Sequence, residues 1–110
     1  MPRELLTDFE LMILLATLRV VDDAYGVPIA LEIERTGGRS VALAAVYTAL
    51  DRLERNGMVT SSMGESTPER GGRAKRLFEV TPQGIRAIKQ TQRALVAMWT
   101  DVPRLKGRRA

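Results

Sequence analysis

The 110-residue chain contains no cysteine and no histidine. Disulfides, thiolate nucleophiles, imidazole bases and the usual zinc ligands are excluded together, and most common catalytic chemistry goes with them. The expectation is a protein that is not an enzyme and that holds neither a metal nor a cofactor. A long hydrophobic run is missing as well. The opening MPRELLTDFELMILLATL is apolar, but Glu4, Asp8 and Glu10 stand where a signal sequence would carry positive charge. Its apolar stretch is shorter than the ~18 residues a membrane span needs, and no small-residue cleavage pattern follows. A soluble, cytoplasmic protein with no membrane partner is expected. A chain of this size makes one domain burying roughly 65% of its unfolded surface, a modest core that association with a second copy would help.

The net charge of +4 hides an asymmetry about Gly57. Residues 1 to 57 carry 6 Lys or Arg against 9 Asp or Glu, a net −3, whereas residues 58 to 110 carry 11 against 4, a net +7. The second half is therefore the part expected to meet a polyanion.

Local signals divide the chain into helix, helix, helix, hairpin, helix. Thr7-Asp8-Phe9-Glu10 fits a capping box, with Leu6 placed to staple against Leu11, so a first helix is predicted from about Asp8 to Val20. Its apolar residues go nearly all the way round, the mark of a helix contacted on several sides. Pro28 sits early in a second helix that stops at Gly37, with Val27, Ile29 and Ile33 as its buried face. A third helix follows Gly37-Gly38-Arg39-Ser40, with Ser40 or a neighbour near its N-cap. At 100° per residue Leu43, Val46, Leu50 and Leu53 share a narrow arc facing the core, and Ala44, Ala45, Thr48, Arg52 and Arg55 lie opposite. Asn56-Gly57 ends this helix, and Met58 to Met63 with Lys75 to Val80 read as paired strands around a Gly-rich turn. Thr81-Pro82 starts a fourth helix that Pro103 closes. Along it Ile85, Ile88, Gln92, Leu95, Trp99 and Val102 recur at spacings of 3, 4, 3, 4 and 3, the rhythm of a helix that packs against another. This is a mainly α fold with a small antiparallel β-hairpin, a winged helix-turn-helix over residues 1–81. Residues 82–103 form a dimerisation helix, and 104–110 a basic, frayed tail.

Two constellations carry the expected chemistry. The turn between the strands holds Arg70, Arg73, Lys75 and Arg76 within seven residues, and Gly71-Gly72 lets the backbone come close to a ligand. Phosphate oxygens are the natural partners of such a turn. The third helix would enter the major groove of double-stranded DNA. Thr48 and Arg52 are its base-edge or phosphate groups, Ala44 and Ala45 allow close approach, and Tyr47 stands at the border of the core arc with its hydroxyl toward a phosphate. Carboxylate pairs such as Asp51 with Glu54, or Glu32 with Glu34, do not read as catalytic. Asp51 and Glu54 alternate with Arg52 and Arg55, the pattern of surface ion pairs.

The ordered set LTDFELMILLATL, AYGVPIALEIERTGG, VYTALDRLERNGMV and ERGGRAKRLFEVTPQG resembles the PadR family of bacterial transcriptional regulators, in its short form with one C-terminal helix. The resemblance spans about residues 5 to 102. It implies a dimeric repressor at a palindromic operator, with the third helix in the groove, the wing on the backbone and the last helix at the dimer interface. It places Tyr47 on a phosphate and Arg70, Arg73, Lys75 and Arg76 in the wing. Many relatives carry Ser or Thr with Gly just before the tyrosine, where this chain has Ala42, Ala44 and Ala45. Some relatives bind planar or phenolic molecules near the dimer interface. That makes Trp99, the single tryptophan, a candidate contact for a small aromatic effector as well as an interface anchor. The competing reading is a protein-interaction or dimerisation module that uses the same scaffold without recognising an operator.

Overall fold

A computed structural model describes residues 5–66 and 74–105. Helix α1 spans Asp8–Val20, α2 Gly26–Gly37, α3 Leu43–Arg55 and α4 Pro82–Trp99, with strands β1 Val59–Ser66 and β2 Ala74–Val80 between α3 and α4. The element order and the mainly helical class agree with the sequence reading. No helix among the described residues is long and apolar enough to cross a membrane.

The first helix begins where its local chemistry dictates. The Glu10 N–H donates to Thr7 Oγ1 at 3.1 Å, and the Thr7 N–H donates to Glu10 Oε1 at 2.9 Å, which satisfies two of the free donors every helix start carries. Ile13, Leu14, Ala16 and Thr17 point inward from α1. They meet Ile29 and Ile33 of α2, Val46, Leu50 and Leu53 of α3, Val59 of β1, Phe78 of β2 and Ile88 of α4 in one continuous core. Each fully buried Leu or Ile contributes on the order of 1.5–3 kcal/mol.

Three expected core and cap positions differ. Val27 is exposed, because α2 already starts at Gly26 and Val27 stands about 200° round the helix from Ile29. Glu32 takes an inward position instead. Leu43 keeps the angular phase of Leu50 but is 42% exposed. It belongs to the first turn of α3, where Ala44 and Ala45 are exposed as well, and Ala49 completes the buried arc. The N-cap of α3 is Ala42, which offers no side-chain cap, and Ser40 lies exposed in the preceding link.

The hairpin pairs Val59 with Val80 and Met63 with Arg76, and a bulge separates Met63 from the Ser66–Ala74 pair, so both strands run further than the expected Met58–Met63 and Lys75–Val80. Its inner edge is strapped to the α1–α2 connection by the Phe78 N–H donating to the Ala24 carbonyl at 2.8 Å. Thr81 caps α4, accepting from the Gly84 N–H at 3.0 Å and donating to the Gly57 carbonyl at 2.6 Å. Gly84 itself admits no side chain. A Cβ there would collide with the Met58 carbonyl oxygen and come within 2.7 Å of Val80 Cγ1.

The fourth helix ends at Trp99 rather than at Pro103. The Thr100 backbone turns extended and its hydroxyl donates to the Val96 carbonyl at 2.6 Å, while Pro103 opens a single 3₁₀ turn, Pro103–Leu105. Val102 therefore lies beyond the helix whose rhythm it was expected to continue.

Candidate nucleic-acid interface

The face of α3 turned away from the core is made of Ala44, Ala45, Thr48, Arg52 and Arg55, all exposed. Two methyl-sized side chains and a threonine make it shallow. The Thr48 hydroxyl donates to the Ala44 carbonyl of its own helix at 3.0 Å, which leaves its oxygen able to accept from a ligand. Arg52 stands 4.0 Å from Glu10 Oε2 of α1 with about half its side chain in solvent.

Tyr47 is half-buried at the edge of this face. Its ring lies on Gly26, the first residue of α2, so closely that a Cβ on Gly26 would overlap the ring and sit 2.6 Å from the hydroxyl. Phe78 supports it from the hairpin, with ring centroids 6.4 Å apart and planes tilted by 54°. Glycine at the helix start is what admits the aromatic. Among the described residues no group hydrogen-bonds the Tyr47 hydroxyl. It lies beside an N-terminus of α2 that Tyr25 leaves without a side-chain cap, and uncapped backbone N–H groups of this kind favour negative charge.

The cations expected in the wing divide into two sets. Arg70, Gly72 and Arg73 lie outside the described residues. Lys75 and Arg76 are described, and both are engaged within the chain. The Arg76 guanidinium reaches Asp51 Oδ1 at 2.9 Å and Glu54 Oε1 at 2.7 Å, and its Cζ stands 4.8 Å from the Phe78 ring centroid. Ser61 Oγ of β1 donates to the other oxygen of Glu54 at 2.8 Å. The bond from Ser61, followed by that from Arg76, holds the Glu54 carboxyl below the usual carboxylate range. Lys75 Nζ is 3.2 Å from Asp23 Oδ1 and 4.7 Å from the Tyr25 ring centroid. Sequence reading saw Asp51 and Glu54 as members of surface pairs on their own helix. Their main partner is instead a strand residue more than twenty positions away.

A second charged cluster escaped the sequence reading. Glu32, only 5% exposed, accepts from the Thr36 hydroxyl at 2.6 Å, from Arg19 Nε at 2.6 Å and from Arg35. The Thr36 and Arg19 bonds, with the adjacent Arg35, outweigh its desolvation and push its pKa down to about 2. Helical phase puts Glu32 beside Ile29 on the inward arc of α2, but the Arg19 that satisfies it there belongs to another helix.

The stripe expected at the dimer interface splits along its length. Ile88 packs into the core and Ile85 is half-buried. Thr91, which the stripe omitted, is buried and accepts from the Leu6 N–H at 3.1 Å. Leu95 and Trp99 are exposed, Trp99 by 69%, alongside Val96 and Met98. Ile88, Gln92, Leu95, Val96 and Trp99 meet Leu11 and Leu15 of α1 along an apolar groove of about 280 Å³.

Comparison with solved structures finds the same architecture. A transcriptional regulator from Clostridium thermocellum superposes with a TM-score of 0.69 at 25% identity, covering 86% of this chain and 89% of its own. A PadR-like transcriptional regulator from Bacillus cereus matches with a TM-score of 0.72 at 17% identity, over 92% and 93% of the two chains. A PadR family regulator from Eggerthella lenta matches at 0.69 and 17% identity, over 89% and 83%. A comparison with curated proteins finds no match. The family model for the transcriptional regulator PadR-like family matches residues 14–90. That stretch runs from the middle of α1 through the hairpin into α4, and the chain belongs to the PadR-like family of transcriptional regulators.

Proposed function

We propose that the protein is a dimeric repressor that binds a specific duplex DNA sequence. In this reading α3 lies in the major groove, with Ala44 and Thr48 toward base edges and Arg52 toward bases or phosphates. Ser40 and Tyr47 face the backbone, and the wing tip, with Arg70, Gly72 and Arg73, follows the adjacent phosphates. The observation that carries the reading is the pairing of the shallow α3 face with the Tyr47 hydroxyl. That hydroxyl has no partner among the described residues and lies beside the uncapped start of α2. A helix with small outward side chains fits a major groove about 12 Å wide, and a donor at its rim suits a phosphate. The exposed Leu95, Val96, Met98 and Trp99 support a second copy covering α4. Two recognition helices related by a two-fold axis would then read half-sites separated by about 34 Å.

The test is competition at physiological salt between a duplex selected from a random-sequence pool and a scrambled duplex of the same composition. A preference of roughly 10³ or more for the selected duplex is expected. Equal competition would sink operator recognition and favour an interaction module on the same scaffold. An effector that relieves repression would enter the α1–α4 groove at Trp99. Titration with planar phenolic compounds should then quench tryptophan fluorescence, and a flat response across them removes the effector from this reading.

A further inference from the structure

We propose that Arg76 is a positioning residue rather than a phosphate ligand, and that with Lys75 it clamps the stem of the wing from both sides. The proposal rests on the DNA-binding reading and assigns roles within it. Lys75 and Arg76 are adjacent on β2, so their side chains leave opposite faces of the hairpin. Arg76 goes to α3, where Asp51 and Glu54, three residues apart on one helix face, each take one nitrogen of its planar fork. Lys75 goes the other way, to Asp23 and the Tyr25 ring in the α1–α2 connection. The two ties meet the hairpin just short of its tip, at the register where Arg76 faces the exposed Met63 and the bulge begins.

The chemistry of the Arg76 tie is that of a fixture. An arginine fork engaged by two carboxylates, lying on the Phe78 ring, holds one orientation, which a lysine point charge in its place would not. Ser61 from β1 bonds the free oxygen of Glu54, so both strands are tied to the same helix residue. Phosphate contact would require Arg76 to leave two anions already within hydrogen-bonding distance for a third. Sequence counting assigns four cations to the wing. The clamp leaves two, Arg70 and Arg73, for phosphates, and fixes the stem of the hairpin against α3.

The decisive measurement is the dependence of duplex affinity on salt, using the selected duplex and the full chain. Each phosphate contact adds about 0.9 to the slope of log affinity against log salt, so a residue that touches one phosphate in each subunit accounts for about 1.8. Arg73→Ala should lose that amount. Arg76→Gln should weaken binding by roughly tenfold while keeping the wild-type slope, the loss expected when one charged hydrogen-bonded tie is cut. The slope does not depend on the fraction of protein that is folded, so it remains readable if a variant is partly inactive.

A second variant decides the sign. Asp51→Asn with Glu54→Gln removes two negative charges from the DNA side of the molecule and frees Arg76. If Arg76 were a phosphate ligand, the double variant would bind more tightly. The clamp requires it to bind more weakly, again by roughly tenfold. A slope for Arg76→Gln reduced as much as that for Arg73→Ala, or tighter binding by the double variant, overturns the clamp and leaves the DNA-binding reading standing. A wild-type chain that binds no duplex at any salt concentration overturns both.

Discussion

The two ends of the molecule dispose of their side chains in opposite ways. Around α3 and the hairpin stem, the apolar residues apart from Leu43 and Met63 are spent in the core, and the described wing cations are tied to carboxylates of α3 and of the α1–α2 connection. On the face of α3 turned away from the core, what remains outward is small or polar: Ala44, Ala45, Thr48, Arg52 and Arg55. Around the far half of α4 the core has run out. Leu95, Val96 and Trp99 stand largely in solvent beside Leu15 of α1, and Met98 is exposed as well. A contiguous apolar patch of that kind signals a protein partner, and a shallow polar face bordered by an unengaged hydroxyl suits a hydrated polyanion. The contrast teaches that one helical scaffold can present two chemically different faces by where it lets its core end, which the proposed function uses to separate holding from reading.

That contrast can be broken at its apolar end first. Replacing Leu95 and Trp99 together by Ala should weaken self-association by about 4 kcal/mol, because buried aromatic anchors dominate such interfaces. Sedimentation equilibrium should then show a monomer at concentrations where the parent chain is expected to be a dimer. An unchanged mass would move the interface elsewhere. At the joint between the two ends, Gly84→Ala forces a methyl into the Met58 carbonyl and Val80. It should cost about 3 kcal/mol in urea unfolding.

The reading end is tested more gently. Tyr47→Phe keeps the ring on Gly26 and deletes only the hydroxyl, so unfolding stability should hold to within about 0.5 kcal/mol. Duplex affinity should fall by about 1.5 kcal/mol, roughly tenfold. A variant with full affinity would remove the hydroxyl from the contact. The smallest expected effect concerns Glu32, which belongs to neither face. Its folded-state pKa of about 2 lies below the ~4.3 of an unfolded glutamate, so its contribution is complete above about pH 4.3 and is lost as pH falls toward 2. Glu32→Gln should flatten the decline in melting temperature over that window and leave the shape of the curve above it unchanged. An equally steep acid limb in the variant would mean that other carboxylates govern it.

How much of this was legible beforehand depended on how far apart the determinants lie in the chain. The bounds of α1 were readable because Thr7 and Glu10 sit three residues apart and bond each other. The Thr81-Pro82 start of α4 was readable for the same reason. Angular phase along α3 placed Val46, Leu50 and Leu53 correctly and failed at Leu43, because phase says which way a side chain points and not whether anything is there to meet it. The wing stem was misjudged in emphasis. Charge density suggested outward cations, whereas the partners of Arg76 and Lys75 come from α3 and from the α1–α2 connection, and no spacing rule links them. For Glu32 the same holds of Arg19 alone, since Arg35 and Thr36 lie one turn on along its own helix. The α4 stripe was visible as a stripe, but its division between the protomer's own core and solvent appears only when α1 is packed against it.

The contact between Gly26 and Tyr47 has a consequence for how such chains can vary. The ring occupies the space where a side chain at position 26 would be, so the two positions are a single choice made twice. A relative that places any larger residue at the start of its second helix must shift or surrender the aromatic, and with it the hydroxyl at the edge of the reading face. Surveyed across many such chains, the glycine and the tyrosine should be inherited as a pair, although more than twenty residues of sequence separate them.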